Sequence, residues 1–188
     1  MATKPAPAPR WTYTEFARLP DDGNRYEIIA GELYMRPAPR PLHQLVVYNL
    51  AGLLGPFVRQ HNLGWVLPGP IDVLFAEGDY LEPDLVFVRR ERRGIISDRG
   101  IEGAPDLVVE VLSGSTADRD RGVKRERNAW FGVLEYWVLD AEAGQIEVYR
   151  MLEDPLNPRV VRDTLAWQLA PAAPTLEIPV AEVLRGFE

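Results

Sequence analysis

The run "APDLVVEVLSGSTADRDRGVKRERNAWFGVLEYWVLD", Ala104 to Asp140, carries the topology of the chain. From Leu107 to Leu112 every position except Glu110 is apolar, the pattern of a strand covered on both faces rather than one with a wet side. "STADRDRGVKRERNAWFGV" then reads as a helix entered through Ser115 or Thr116. Asp118 and Asp120 stand in its first turn, where negative charge complements the helix dipole. "LEYWVLD" returns to strand. A strand, helix, strand unit over 106–139 is predicted to be a right-handed parallel crossover, with its first strand near the centre of a sheet.

Working outward, "TYTEFARLP" reads as a short helix capped by Thr12 or Thr14. "RYEIIAGELYMRP" reads as two short strands around Ala30-Gly31. "PLHQLVVYNLAGLLGPFVRQHN" is a long helix by the spacing of Leu42, Leu45, Val46, Leu50, Leu53 and Leu54, with Pro56 expected to bend or interrupt its end. "GPIDVLFAEG" and "EPDLVFV" read as strands joined by a Gly-Asp turn, and "QIEVYRM" pairs back on "LEYWVLD". "DTLAWQLA" and "LEIPV" supply strands in the tail, separated by "APAAPT". These elements predict a mixed α/β fold: a mixed central sheet flanked by helices, with extra N- and C-terminal strands, as one domain over 11–188. The Pro- and Ala-rich residues 1–10 are expected to be disordered.

The 188 residues are 46% hydrophobic and 26% charged, ordinary for a soluble domain with a full core. No apolar run reaches the roughly 18 residues that a membrane span needs, and residues 1–10 lack the apolar stretch of a secretory signal. A cytoplasmic location is expected. The absence of cysteine excludes disulfides, thiol chemistry and Cys-type zinc sites. A net charge of -7 argues against a broadly basic nucleic-acid-coating surface but leaves room for a local basic groove. Arginines crowd 89–99 and 119–127, and Arg grips phosphate and carboxylate bidentately.

The tetrapeptide "PDLV" occurs at 83–86 and again at 105–108. Asp106 and Glu110 share one face of a strand but lie roughly 13 Å apart at about 3.3 Å per residue. That is too far for a shared small divalent ion, whose oxygen ligands sit at about 2.0–2.1 Å. Asp84 and Glu110, on neighbouring strands about 4.8 Å apart, meet if those strands are adjacent. Glu110 interrupts a doubly buried strand, so it requires a cation: a metal, or a nearby Arg. Of 21 basic residues only Lys4 and Lys124 are lysines. The strand runs on roughly 10 Å past Glu110 and the helix returns roughly 9 Å by Lys124. Lys124 is thereby nearly level with Glu110 if its face points at the sheet; otherwise it is a solvated helix lysine. Glu27, a lone acid in an apolar strand, is either a metal ligand, a support to one, or an edge charge. His43, in the first turn of the long helix, is a candidate to bind water or phosphate, or else lies on the surface. Asp72 and Glu82 are weaker candidates, Asp106 reads as a turn-capping residue, and nothing suggests a role for His61. Trp130, Phe131, Tyr136 and Trp137 read as core packing.

An Asp and a Glu on adjacent strands plus a Lys resemble the PD-(D/E)XK nuclease constellation. The standard lysine position, two residues past the acid, is Leu112 here, so the resemblance is to the variant in which the lysine has moved to the next helix, at Lys124. Over about residues 11–184 the chain more closely resembles the bacterial Uma-two family of restriction-endonuclease-like proteins. The resemblance is carried by "RYEIIAGEL", "PLHQLVVYNL", "PIDV", "EPDLVFVRRER", "IEGAPDLVVEVLSGSTADRDRGVKRE", "GVLEYWVLDAEAGQIEVYR" and "PTLEIPVAEVL". Gly114 replaces a usual Pro, and Asn128 a usual aromatic. The resemblance implies a metal-dependent endonuclease acting on DNA, with Mg²⁺ or Mn²⁺ on Asp84 and Glu110, and Lys124 orienting water or stabilising phosphate charge. A homodimer goes with the first of two alternatives to this reading. The alternatives are an inactive interaction module on a nuclease-like scaffold and a phosphoesterase for small nucleotides.

Overall fold

The computed structural model describes residues 11–20, 22–114 and 116–187; the expected disorder of 1–10 and the Ser115 helix cap fall outside them. In chain order the elements are α1 (Tyr13–Phe16), β1 (Arg25–Ile29), β2 (Glu32–Arg36), α2 (Pro41–Gln60), β3 (Gly64–Pro68), β4 (Val73–Ala76), β5 (Asp79–Leu81), β6 (Leu85–Arg89), β7 (Ile96–Ser97), β8 (Gly100–Glu102) and β9 (Leu107–Val111). There follow α3 (Ala117–Arg119), α4 (Arg125–Trp130), β10 (Glu135–Asp140), β11 (Gln145–Arg150), β12 (Asp154–Val161), β13 (Thr164–Gln168), β14 (Thr175–Pro179) and α5 (Val180–Val183).

The strands form two six-stranded sheets, ordered β2-β1-β5-β4-β8-β7 and β12-β11-β10-β9-β6-β3, and the hairpin β13-β14. The expectation of one central mixed sheet thus becomes two. Both are mixed: in the first, β4 and β8 are parallel among antiparallel pairs, and in the second β9 and β10 are parallel, joined by the helical crossover, with β6 antiparallel to β9. All five residues of β9 are buried, as its apolar run requires.

The second sheet arises at a place the sequence reading simplified. The Gly78-Asp79 turn joins β4 to β5 rather than to the PDLV strand. Pro83 lacks the N–H that a continuing ladder needs. The chain therefore leaves the first sheet after Leu81 and enters the second at Leu85, and the three-residue corner 82–84 bridges the two. Pro56 does not end α2, which continues to Gln60 with Leu50, Leu54 and Val58 buried. Strands β3, β7, β8 and β12 had no clear periodic signal.

The two faces of β9 feed two cores. Leu107, Val109 and Val111 pack with α2, Trp137, Trp167 and the C-terminal hairpin, where Trp167 meets Phe87 and Trp137 edge-on at 5.5 and 6.3 Å. Val108 packs with Val86, Tyr136, Val73 and Ile101, between the sheets. Tyr136 and Trp137 are fully buried and Phe131 stacks on Phe75 at 4.7 Å, but Trp130 is 76% exposed and does not pack as expected. It falls on the outer side of α4, beside Arg127, whose guanidinium lies 6.0 Å from its ring.

Candidate active site

The register of β6 against β9 sets Leu85 opposite Val109 and Val86 opposite Val108. One step further, Asp84 stands opposite Glu110. The Asp84 N–H donates to Val109 O at 3.1 Å, and the Val111 N–H donates to Asp84 Oδ2 at 2.8 Å. Both carboxylates take the strand face of Val86 and Val108, toward the first sheet and the crossover.

The crossover is not a regular helix. Between α3 and α4, Asp120–Lys124 form a π-turn, with Gly122 leaving helical geometry at φ -102, ψ -111. A widened turn re-aims the side chains that follow it, a device common at functional sites. Here both Asp120 and Lys124 are buried. Lys124, 1% exposed, lies 2.5 Å from Glu110 Oε1, 3.0 Å from Glu27 Oε1 and 3.7 Å from Asp120 Oδ1. The Glu110 contact is an ion pair without hydrogen-bond alignment, so Glu110 Oε1 has no aligned donor. Asn128 is buried and donates from Nδ2 to Lys124 O at 2.8 Å, closing the turn that carries the lysine.

Glu27 reaches the same point from β1. Its Oε1 accepts from the Glu82 N–H at 2.9 Å and lies 3.8 Å from Arg36 Nη1. Arg36, the last residue of β2, donates from Nη2 to Asp84 Oδ1 at 3.1 Å. His43 Nε2 lies 3.0 Å from Asp84 Oδ2, and its Nδ1 is buried without a partner. The structure therefore brings together Asp84, Glu110, Lys124, Glu27 and His43, and adds Arg36 and Asp120, which the sequence reading did not select. Asp106 is held by the Arg89 N–H and the Arg89 and Arg92 side chains, a structural arrangement. Glu82 faces Arg25 at 3.6 Å. His61 ends α2 against the Phe57 ring at 4.6 Å.

Four buried carboxylates thus face two cations, a formal surplus of two negative charges before His43 is counted. The proton affinities follow from that imbalance. Burial pushes the Glu110 carboxyl well up; Lys124 opposes this, and Asp84 and Asp120 reinforce it. Burial also raises Asp120. Lys124 would lose its proton through burial, but Glu110, Glu27 and Asp120 overcome that and hold it cationic. Burial pushes Asp84 up too, yet the His43 hydrogen bond and charge, with Arg36 and the Val111 N–H, bring it below the usual carboxylate range. Among the described residues no group of three or more His, Asp and Glu is already arranged to hold a metal ion. The donor set is nonetheless the kind that hard divalent ions take: carboxylate oxygens, surplus negative charge, and one oxygen lacking an aligned donor.

Above the cluster opens a cavity of about 400 Å³ lined by Arg25, Arg36, Arg40, His43, Ser113 and Thr116, among others. Three guanidiniums and an imidazole over buried acids make a local basic cleft in a chain of net charge -7. A smaller cavity of about 160 Å³ adjoins it, sharing Arg40 and His43.

The family model described as "Uma2: Putative restriction endonuclease" matches residues 13–181. The chain belongs to the Uma2 family. Among solved structures it is similar to a crystal structure described as a putative nuclease belonging to DUF820 from Anabaena variabilis, with a TM-score of 0.76 and 18% identity, over 93% of this chain and 97% of that one. At that identity the likeness establishes the fold. No curated protein matches the chain. Within this Uma2 fold Glu110 comes from β9 and Asp84 from the corner just before the neighbouring β6, Glu27 and Arg36 from the other sheet, and Lys124 from the crossover.

Proposed function

We propose that this Uma2 protein is a divalent-metal-dependent endonuclease that hydrolyses DNA phosphodiester bonds. The observation that carries the reading is Asp84 opposite Glu110 on adjacent strands, with Lys124 2.5 Å from Glu110, beneath an arginine-lined cleft. Asp84 and Glu110 would hold Mg²⁺ or Mn²⁺, which polarises a phosphoryl oxygen and lowers the pKa of water when bound. Arg25 and Arg40, at the cavity wall, orient the DNA backbone by charge-assisted hydrogen bonds. Lys124, kept cationic by its three acidic neighbours, stabilises charge developing on the phosphate and orients the attacking water. His43, with Nε2 3.0 Å from Asp84 Oδ2, holds that carboxylate in position at the cavity wall. Supercoiled plasmid incubated with chelator-treated protein and increasing Mg²⁺ or Mn²⁺ tests this: nicked and linear products should rise with the metal and vanish with EDTA. Equal cleavage in EDTA overturns it.

One observation favours a second reading, an inactive interaction module: both oxygens of Asp84 are already taken by Arg36, His43 and the Val111 N–H. Absence of cleavage under every metal condition, in protein that folds, would select that reading.

A further inference from the structure

Asp84 has acceptor capacity for about four hydrogen bonds or ligand contacts, two per oxygen. Oδ2 already accepts from the Val111 N–H at 2.8 Å and faces His43 Nε2 at 3.0 Å, so its capacity is spent. The remaining capacity is on Oδ1, and its partner is Arg36. The same guanidinium lies 3.8 Å from Glu27 Oε1 and is acted on electrostatically by Glu110. Arg36 thus occupies the Asp84 oxygen that a cation held by Asp84 and Glu110 would need, with Glu27 close by. It is 11% exposed, and its other surroundings are open: it lines the cavity of about 400 Å³, at the end of β2 just before the Pro37-Ala38-Pro39 linker.

We propose that Arg36 is a built-in counter-ion of the acid cluster, which a divalent cation must displace from Asp84 Oδ1, and that the displaced guanidinium then serves the cleft as a phosphate ligand. This rests on the metal-dependent reading above. Two positive charges cannot share one buried carboxylate oxygen without strong repulsion at low local dielectric. Displacement instead frees the ligand, and a flexible side chain can swing into the cavity beside Arg25 and Arg40. The cluster is neutralised in part before metal arrives, and the protein gains a phosphate-binding fork only once metal is in place. Arg36 thereby couples metal binding to substrate binding.

The test is Mn²⁺ binding to the full chain by calorimetry, without DNA, for wild type, Arg36→Met, Arg36→Lys and Glu110→Gln. Arg36→Met should bind Mn²⁺ at least about 10-fold more tightly, with a correspondingly larger Mn²⁺-induced rise in melting temperature. Arg36→Lys, which keeps one charge but not the fork, should fall between. Binding of a short duplex in Ca²⁺ should weaken in Arg36→Met despite its tighter metal. If wild type binds Mn²⁺ in a Glu110-dependent way and the Arg36 variants bind equally or more weakly, the counter-ion role is wrong and the metal-dependent reading stands. If wild type shows no Glu110-dependent Mn²⁺ binding, both fall. Should Arg36→Met fail to fold, Arg36→Lys decides: affinity at or below wild type overturns the proposal.

Discussion

At the scale of single residues, the charge imbalance around Glu110 predicts opposite outcomes for two neighbouring substitutions. Lys124→Met leaves four buried carboxylates facing Arg36 alone. Removing one partner of a buried charge set costs about 3–5 kcal/mol, so denaturant unfolding should show a loss of that order. Glu110→Gln removes one of the surplus charges while Lys124 keeps Glu27 and Asp120. It should leave metal-free protein as stable as wild type or more so at pH 8. The pH dependence follows from the raised carboxyl of Glu110. Because its folded-state pKa lies above its unfolded value, the folded form binds the proton more tightly. Its contribution is fully present below about pH 4.5 and is lost as pH rises toward the folded value. The advantage of Glu110→Gln over wild type should therefore be largest at pH 8 and shrink toward pH 4.5. Thermal melts in EDTA across that range check it, and an advantage that grows on acidification would contradict it.

At the scale of elements, the site depends on hairpins and crossovers that aim side chains at one point. The hairpin β1-β2 carries Glu27 and Arg36, and its two-residue turn places Ala30 at φ 54 and Gly31 at φ 85. Both central residues of such a turn need positive φ, which Gly and Asn tolerate and Ala does not. Ala30 is exposed, so Ala30→Asn should stabilise the protein by about 0.5–1 kcal/mol without altering activity. A gain in the denaturation midpoint at unchanged slope is the expected signature. The same elements show what was legible in the sequence. The doubly apolar β9, its parallel partner β10, the β1-β2 hairpin and the body of α2 followed from periodicity and turn chemistry. Strand spacing excluded Asp106 as Glu110's partner and left Asp84 as the candidate, but the adjacency of the two strands is supplied by the sheet order. The division into two sheets was not legible, since the corner at Pro83 is short and its consequence is tertiary. Arg36 and Asp120 were not legible as site residues either. Arg36 is one arginine among many at a strand end, and Asp120 reads as a helix first-turn acid whose burial becomes visible only once the irregular turn packs against the sheets. Trp130 was misread because α4 turns that position outward after the irregular turn.

At the scale of the whole molecule, an acidic chain presents a basic cleft over the acid cluster, and engagement of a polyanion there should be local. Arg25, Arg36 and Arg40 are the guanidiniums at the cavity. If they neutralise about three phosphates, the slope of log affinity against log salt for duplex DNA should be about -3, at about 0.9 per phosphate. Arg40 is exposed and forms no ion pair among the described residues, so Arg40→Ala should flatten that slope by about one and weaken binding evenly across sequences. A slope far steeper than this would point to contacts outside the cleft. No helix among the described residues is long and apolar enough to cross a membrane.

Glu110→Gln separates chemistry from folding, because the same surplus of buried charge that suits Glu110 to a divalent ion makes its neutral isostere well tolerated by the fold. Cleavage of supercoiled plasmid in Mn²⁺ by wild type and by Glu110→Gln, with melting curves recorded on the same preparations, is therefore the most direct test. Metal-dependent cleavage by wild type, lost by at least about 100-fold in a variant that melts no earlier than wild type, is the predicted result. Undiminished cleavage by Glu110→Gln would contradict it.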